Sequence, residues 1–118
     1  MFIKDYMYKI KTDTKENTVL TECLAYLNLV GVFCWRNNTG AYKIGNRFIR
    51  YGYKGSSDII GILPDGRFLA VECKRGKGGV LSESQKDFIT AIQNNGGIAC
   101  VVHSVADLQK IIKKVLTE

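Results

Sequence analysis

The chain has 118 residues, 46% of them apolar, a single proline and a formal net charge of +6. That length holds one domain with a proper core and is too short for two. No run of about 18 apolar residues is present to cross a bilayer. The opening Met1-Phe-Ile-Lys-Asp-Tyr6 lacks the basic-then-apolar layout of an export signal, so no membrane partner and a cytoplasmic location are expected. Cys23, Cys34, Cys73 and Cys100 lie far apart in apolar runs with no C-x-x-C pair, which predicts reduced core residues instead of zinc or redox chemistry. The lone His103 closes an apolar run, so a histidine-based hydrolase is excluded.

Taken in order, residues 2–12 show no clean period and are open to a strand, an arm or a subunit contact. A helix is expected from Asp13 to about Leu29, with Asp13 as N-cap and Glu16 three residues on. Its apolar stripe is Val19, Leu20, Cys23, Leu24 and Leu27. At about 100° per residue Glu16 lies within roughly 10–15° of the stripe's centre, so it is expected to face inward. It could close the capping box or join a carboxylate cluster. Gly31 ends the helix and Val32–Arg36 reads as a short strand. Asn37-Asn38-Thr39-Gly40-Ala41-Tyr42-Lys43 reads as a donor-rich loop, and Arg47–Tyr51 as a strand with outward arginines.

The next stretch breaks local rules. Ile59-Ile60 and Leu69-Ala70-Val71 have strand composition, and Pro64-Asp65-Gly66 supplies a tight reversal. A three-residue loop pairs Leu63 with Arg67, and stepping back puts Asp58 opposite Glu72 with Lys74 on the same face. Two facing carboxylates repel unless a cation lies between them. A hard divalent ion, Mg²⁺ or Mn²⁺, resolves the conflict; an ordinary solvated face with a Glu72/Lys74 surface pair is the alternative.

Beyond Lys74, Arg75-Gly76-Lys77-Gly78-Gly79 reads as a mobile basic loop able to approach a sugar-phosphate backbone, with a solvated linker as the alternative. A second helix starts at Ser82, where Ser82-x-x-Gln85 forms a capping box, and turns Phe88, Ile89 and Ile92 inward. Ile98–Val102 is a continuous apolar run and hence a central strand. Ser104 caps a last helix with Val105, Leu108, Ile111, Ile112 and Val115 toward the core. The order predicts an α/β fold, helices on a mixed sheet.

Charge is concentrated. Arg36 to Lys77 holds nine cations against Asp58, Asp65 and Glu72, whereas outside it eight cations balance eight acids. The whole excess lies around the carboxylate hairpin, the footprint of a polyanion-binding surface. Arg36, Asn38, Lys43, Lys54, Ser56, Arg75 and Lys77 are its candidate nucleic-acid contacts.

Glu16, Trp35-Arg36-Asn37-Asn38-Thr39-Gly40, Gly55-Ser56-Ser57-Asp58, Glu72-Cys73-Lys74, Leu81-Ser82-x-x-Gln85 and Val101-Val102-His103-Ser104 together resemble the VRR-NUC domain, a branch of the PD-(D/E)xK nucleases. The resemblance covers roughly residues 16–108 and implies a single nuclease domain over 1–118 with a restriction-endonuclease-like core. It implies Asp58 and Glu72 as metal ligands, the Cys73 carbonyl as a third, Lys74 as the catalytic lysine, Gln85 as a further site residue and Glu16 as an outer ligand through water. Ser57 stands where the superfamily has proline, which is not a ligand. Stand-alone domains of this size resemble phage enzymes that act as homodimers on branched DNA, including Holliday junctions. They are Mg²⁺- or Mn²⁺-dependent and leave a 5′-phosphate and a 3′-hydroxyl. Two rivals stand beside this reading: a non-catalytic nucleic-acid-binding module, and a nuclease acting on RNA.

Overall fold

The computed structural model describes residues 15–77 and 79–117, so the expectations for residues 2–12 and for Asp13 as a helix cap lie outside the described residues. The first helix, α1 (Lys15–Leu29), ends at Gly31, which takes a left-handed φ of 80°. The Gly31 N–H donates to the Asn28 carbonyl and the Val32 N–H to that of Leu27, both bonds of a Schellman cap. Leu27 and Val32 then meet in the core, which fixes the angle at which the chain enters the sheet.

The main sheet has four strands in the order β1 (Phe33–Arg36), β4 (Ile59–Ile62), β5 (Phe68–Cys73), β6 (Ile98–Val102). β1, β4 and β5 are antiparallel neighbours, whereas β5 and β6 run parallel. A parallel neighbour needs a crossover, and α2 (Glu83–Asn94) provides it. This is the expected α/β fold, a mixed sheet with helices on both faces, compatible with a PD-(D/E)xK nuclease core.

Alternation along β4 and β5 sorts the two faces. Ile59, Leu63, Leu69, Val71 and Cys73 point into the larger core, shared with α1 and with α3 (Val105–Thr117) through Leu108, Ile112 and Val115. Burying one such aliphatic side chain stabilises the fold by roughly 1.5–3 kcal/mol. Ile60, Ala70 and Ala99 point the other way, onto Phe88, Ile89 and Ile92 of α2. The 64–66 loop has the expected length. The Leu63 N–H donates to the Arg67 carbonyl at 2.9 Å, and the register runs Ile62 to Phe68 through Ile59 to Val71.

One expectation is corrected. The loop predicted through Lys43 ends at Thr39, and Gly40–Ile44 forms a strand, β2, paired with β3 (Arg47–Tyr51) in a separate two-stranded ribbon. Gly45, at φ 59°, is the first central residue of the two-residue turn, the position where a primed turn requires glycine. Among the described residues neither face of this ribbon packs on a core, so its strands carry no burial-driven alternation for a sequence reading to detect.

Candidate active site

Asp58, one residue before β4, and Glu72, in β5, are brought opposite each other by the register just described. Both lie on the face covered by α2, at the end of the hairpin remote from its turn. Asp58 is half-buried and its Oδ2 accepts from the Cys73 N–H at 2.7 Å. Its backbone carbonyl accepts from the Asn37 N–H at 2.7 Å, which ties the residue to the end of β1.

Glu72 is only 1% exposed. Its Oε1 accepts from Gln85 Nε2 at 2.9 Å and lies 3.7 Å from the Lys74 ammonium. Its Oε2 is buried without a hydrogen-bond partner. Burial first, and the Asp58 charge second, push its carboxyl from the usual 4.5 up to about 8, against the pull of Lys74; the charge of Glu16 adds to the rise. As two anions, neither Asp58 nor Glu72 can donate to the other. A proton or a cation between them removes the conflict.

Lys74 is 8% exposed, and the close approach of Gly79 clamps its stem. A Cβ on Gly79 would come within 2.7 Å of the Lys74 Cβ. The far side of the 75–79 loop is held too, since His103 Nδ1 lies 2.8 Å from the Arg75 carbonyl. Gln85 has two roles. Its Oε1 accepts from the Ser82 N–H at 2.9 Å to complete the capping box, and the same oxygen accepts from Lys74 Nζ at 3.3 Å. Capping and site are therefore one network. What places α2 here is Gly55, at φ 85°, where any Cβ would overlap the Ser84 carbonyl.

Cys73 turns its thiol into the core. Its hydrogen bond with Cys23, then burial, push that thiol well above its usual range, so only the backbone carbonyl is available for a ligand role. Among the described residues no three His, Cys, Asp or Glu side chains converge as a metal cage. Two hard carboxylates, one with a buried unpaired oxygen, nevertheless fit a divalent cation completed by backbone and water oxygens.

Glu16 departs from expectation, being exposed instead of inward. It shares the azimuth of the buried stripe but sits a turn before Val19, past the packed end of α1. Its carboxylate stays in water and acts on Glu72 only through its charge. Ser56, expected at the nucleic acid, has its hydroxyl engaged by Asn37 Nδ2 at 2.6 Å. Arg36, Asn38, Lys43, Lys54, Arg75 and Lys77 are all exposed. The residue missed was Asn37, whose side-chain amide also donates to the Ser57 carbonyl at 3.0 Å and so fixes the segment that delivers Asp58. A contact across 20 positions leaves no local signal. Beside it, Ser57 is fully buried with its hydroxyl unpartnered.

A search of curated proteins finds no match to the chain. The sequence model of the VRR-NUC domain, in contrast, matches residues 14–106, a span running from just before α1 to the first turn of α3 that includes every group of the network above. The chain thus belongs to the VRR-NUC family of nuclease-type domains.

Proposed function

We propose that this protein is a divalent-metal-dependent endodeoxyribonuclease that hydrolyses phosphodiester bonds in branched DNA, Holliday junctions among them, as a homodimer. The observation that carries the reading is Glu72: a buried carboxylate facing a second one, with one oxygen unpaired and the other held by an amide and an ammonium. A fold keeps such a costly group where it serves chemistry.

Asp58, Glu72 and the Cys73 carbonyl would hold Mg²⁺ or Mn²⁺. When bound, that ion polarises a phosphoryl oxygen and eases loss of a proton from water. Lys74 directs a fixed positive charge at the phosphate, where negative charge grows during in-line attack. Gln85 keeps Glu72 and Lys74 in register with each other. The exposed cations Arg36, Lys43, Lys54, Arg75 and Lys77 hold the sugar-phosphate backbone. Two sites related by a two-fold axis can address both strands of a symmetric junction.

The test is incubation with Mg²⁺ or Mn²⁺ and a panel of four-way junctions, flaps, duplex, single strands and matched RNA, alongside Lys74→Ala. Cleavage of branched DNA that is lost in the variant supports the reading. Tight binding with no cutting under either metal returns the protein to the binding-module class, and preferential cutting of RNA returns it to the ribonuclease reading. Sedimentation at working concentration reads the dimer.

A further inference from the structure

The β2–β3 ribbon plays no part in the network just described. Among the described residues its strands pair only with each other, and eight of its ten strand residues are exposed, Tyr42 and Tyr51 by about half. The register sorts its two faces. Gly40, Tyr42, Ile44, Arg47, Ile49 and Tyr51 lie on one, whereas Ala41, Lys43, Phe48 and Arg50 lie on the other. Ile44, 58% exposed, faces Arg47 across the two-residue turn, and Phe48, 67% exposed, follows on the opposite face. The Arg50 guanidinium lies 5.9 Å from the centre of the Phe48 ring, so even the cationic face carries an apolar end.

A thin ribbon with exposed apolar side chains next to its turn needs an occupant, and charge identifies it. From Arg36 to Ser57 the chain carries five cations (Arg36, Lys43, Arg47, Arg50 and Lys54) and no Asp or Glu. Lys43, Arg47 and Arg50 have no ion-pair partner among the described residues. A recess of about 190 Å³ at the ribbon's base brings Arg50, Tyr51 and Lys54 together. Two ribbons packed through the Lys43 and Arg50 face would set like charges together, and the opposite face holds Arg47 beside Ile44 at its turn end. A polyanion with apolar flat surfaces, a nucleic acid whose bases are unstacked, satisfies both the cations and the aromatics.

We propose that the ribbon is a wedge for branched DNA: Lys43, Arg47 and Arg50 grip phosphates while Ile44 and Phe48 enter the branch point against unpaired bases. This deepens the nuclease reading and rests on it for the choice of DNA. The ribbon, not the carboxylates, then sets the preference for branches over duplex.

The ribbon leaves and returns at one place. A Cβ on Gly52 would lie 2.7 Å from the Asn38 carbonyl, so residues 40–51 can be replaced by a two-glycine link. The experiment places 2-aminopurine at the branch point of a four-way junction, with full-length protein carrying Lys74→Ala to prevent cutting. Binding should raise the fluorescence several-fold. Adding Ile44→Ser with Phe48→Ser should abolish that rise, and the same pair in the active enzyme should lower junction cleavage at least about tenfold while nicked duplex is cut as before. Undiminished fluorescence and junction preference in the point variants would overturn the proposal, as would a ribbon deletion that only converts a dimer to a monomer. A wild-type protein that cuts no DNA would end the nuclease reading instead, and the fluorescence arm would still judge the wedge.

Discussion

The two ends of the polar surface are built on opposite principles. At the β4–β5 end, Glu72, Lys74 and Gln85 are drawn back from water and hold one another, and Asp58 is held by the Cys73 N–H. In the β2–β3 ribbon, Lys43, Arg47 and Arg50 stand in solvent with no ion-pair partner among the described residues. Buried polar groups act as a unit because removing one strands the others. Exposed charges act one at a time, each by its Coulomb field. The first region is therefore sensitive to any substitution, and the second only to total charge and shape.

The sharpest way to break the first region is Asp58→Ala. Cleavage should fall on the order of a thousandfold or more, because residues that act as a unit fail together. DNA binding should survive or tighten, since the cationic surface is untouched. A rate assay with a gel-shift measurement checks both, and retained cleavage would remove Asp58 from the site.

Next in size is the pH dependence of stability without metal. Glu72 is pushed up from 4.5 to about 8, so between those values the folded chain holds a proton that the unfolded chain has released. Stability is thus greatest below about pH 4.5 as far as this group is concerned, falls as pH rises toward 8, and levels beyond it. Glu72→Gln should flatten that slope and leave the variant more heat-resistant than wild type at pH 8–9 in EDTA. Melting curves across pH measure it; parallel curves for the two proteins would show that Glu72 titrates in the folded chain as it does in the unfolded one.

Gly55→Ala is a smaller blow of a different kind. It meets both a left-handed φ and the Ser84 backbone, so a loss of about 2 kcal/mol or more is expected in a denaturant titration. Gln85→Ala should cost about 1 kcal/mol through the cap and about 10- to 100-fold in rate through Glu72 and Lys74. Gln85→Glu preserves the cap but sets a third charge beside Glu72, so it should recover stability and not rate. The smallest change belongs to the ribbon. Lys43→Gln with Arg50→Gln should leave unfolding within about 0.5 kcal/mol of wild type and lower the salt slope of DNA binding by about two.

Legibility in the sequence followed the same division. The pairing of Asp58 with Glu72 was readable because Pro64-Asp65-Gly66 fixes a loop length, and a loop length fixes a register. The stripe of α3 and the inward Phe88, Ile89 and Ile92 were readable because burial imposes a period. Strand β2 was not, since both its faces are wet and nothing selects apolar residues at alternate positions. Asn37 was overlooked in favour of Asn38 because its partners, Ser56 and Ser57, lie across the sheet and not along the chain. Glu16 had the right azimuth and the wrong height, and a helical wheel carries no information about where along its axis a helix stops being covered.

The sharing of Gln85 between a helix cap and the carboxylate network has a kinetic corollary. Helix ends fray, opening and closing faster than the whole domain unfolds. Each time the first turn of α2 loosens, the amide that steadies Glu72 and the oxygen that receives Lys74 leave together. The Gln85 N–H, which donates to Ser82 Oγ at 3.2 Å, is a built-in clock for those interruptions. Its hydrogen-exchange rate reads directly the fraction of time that the network spends disassembled.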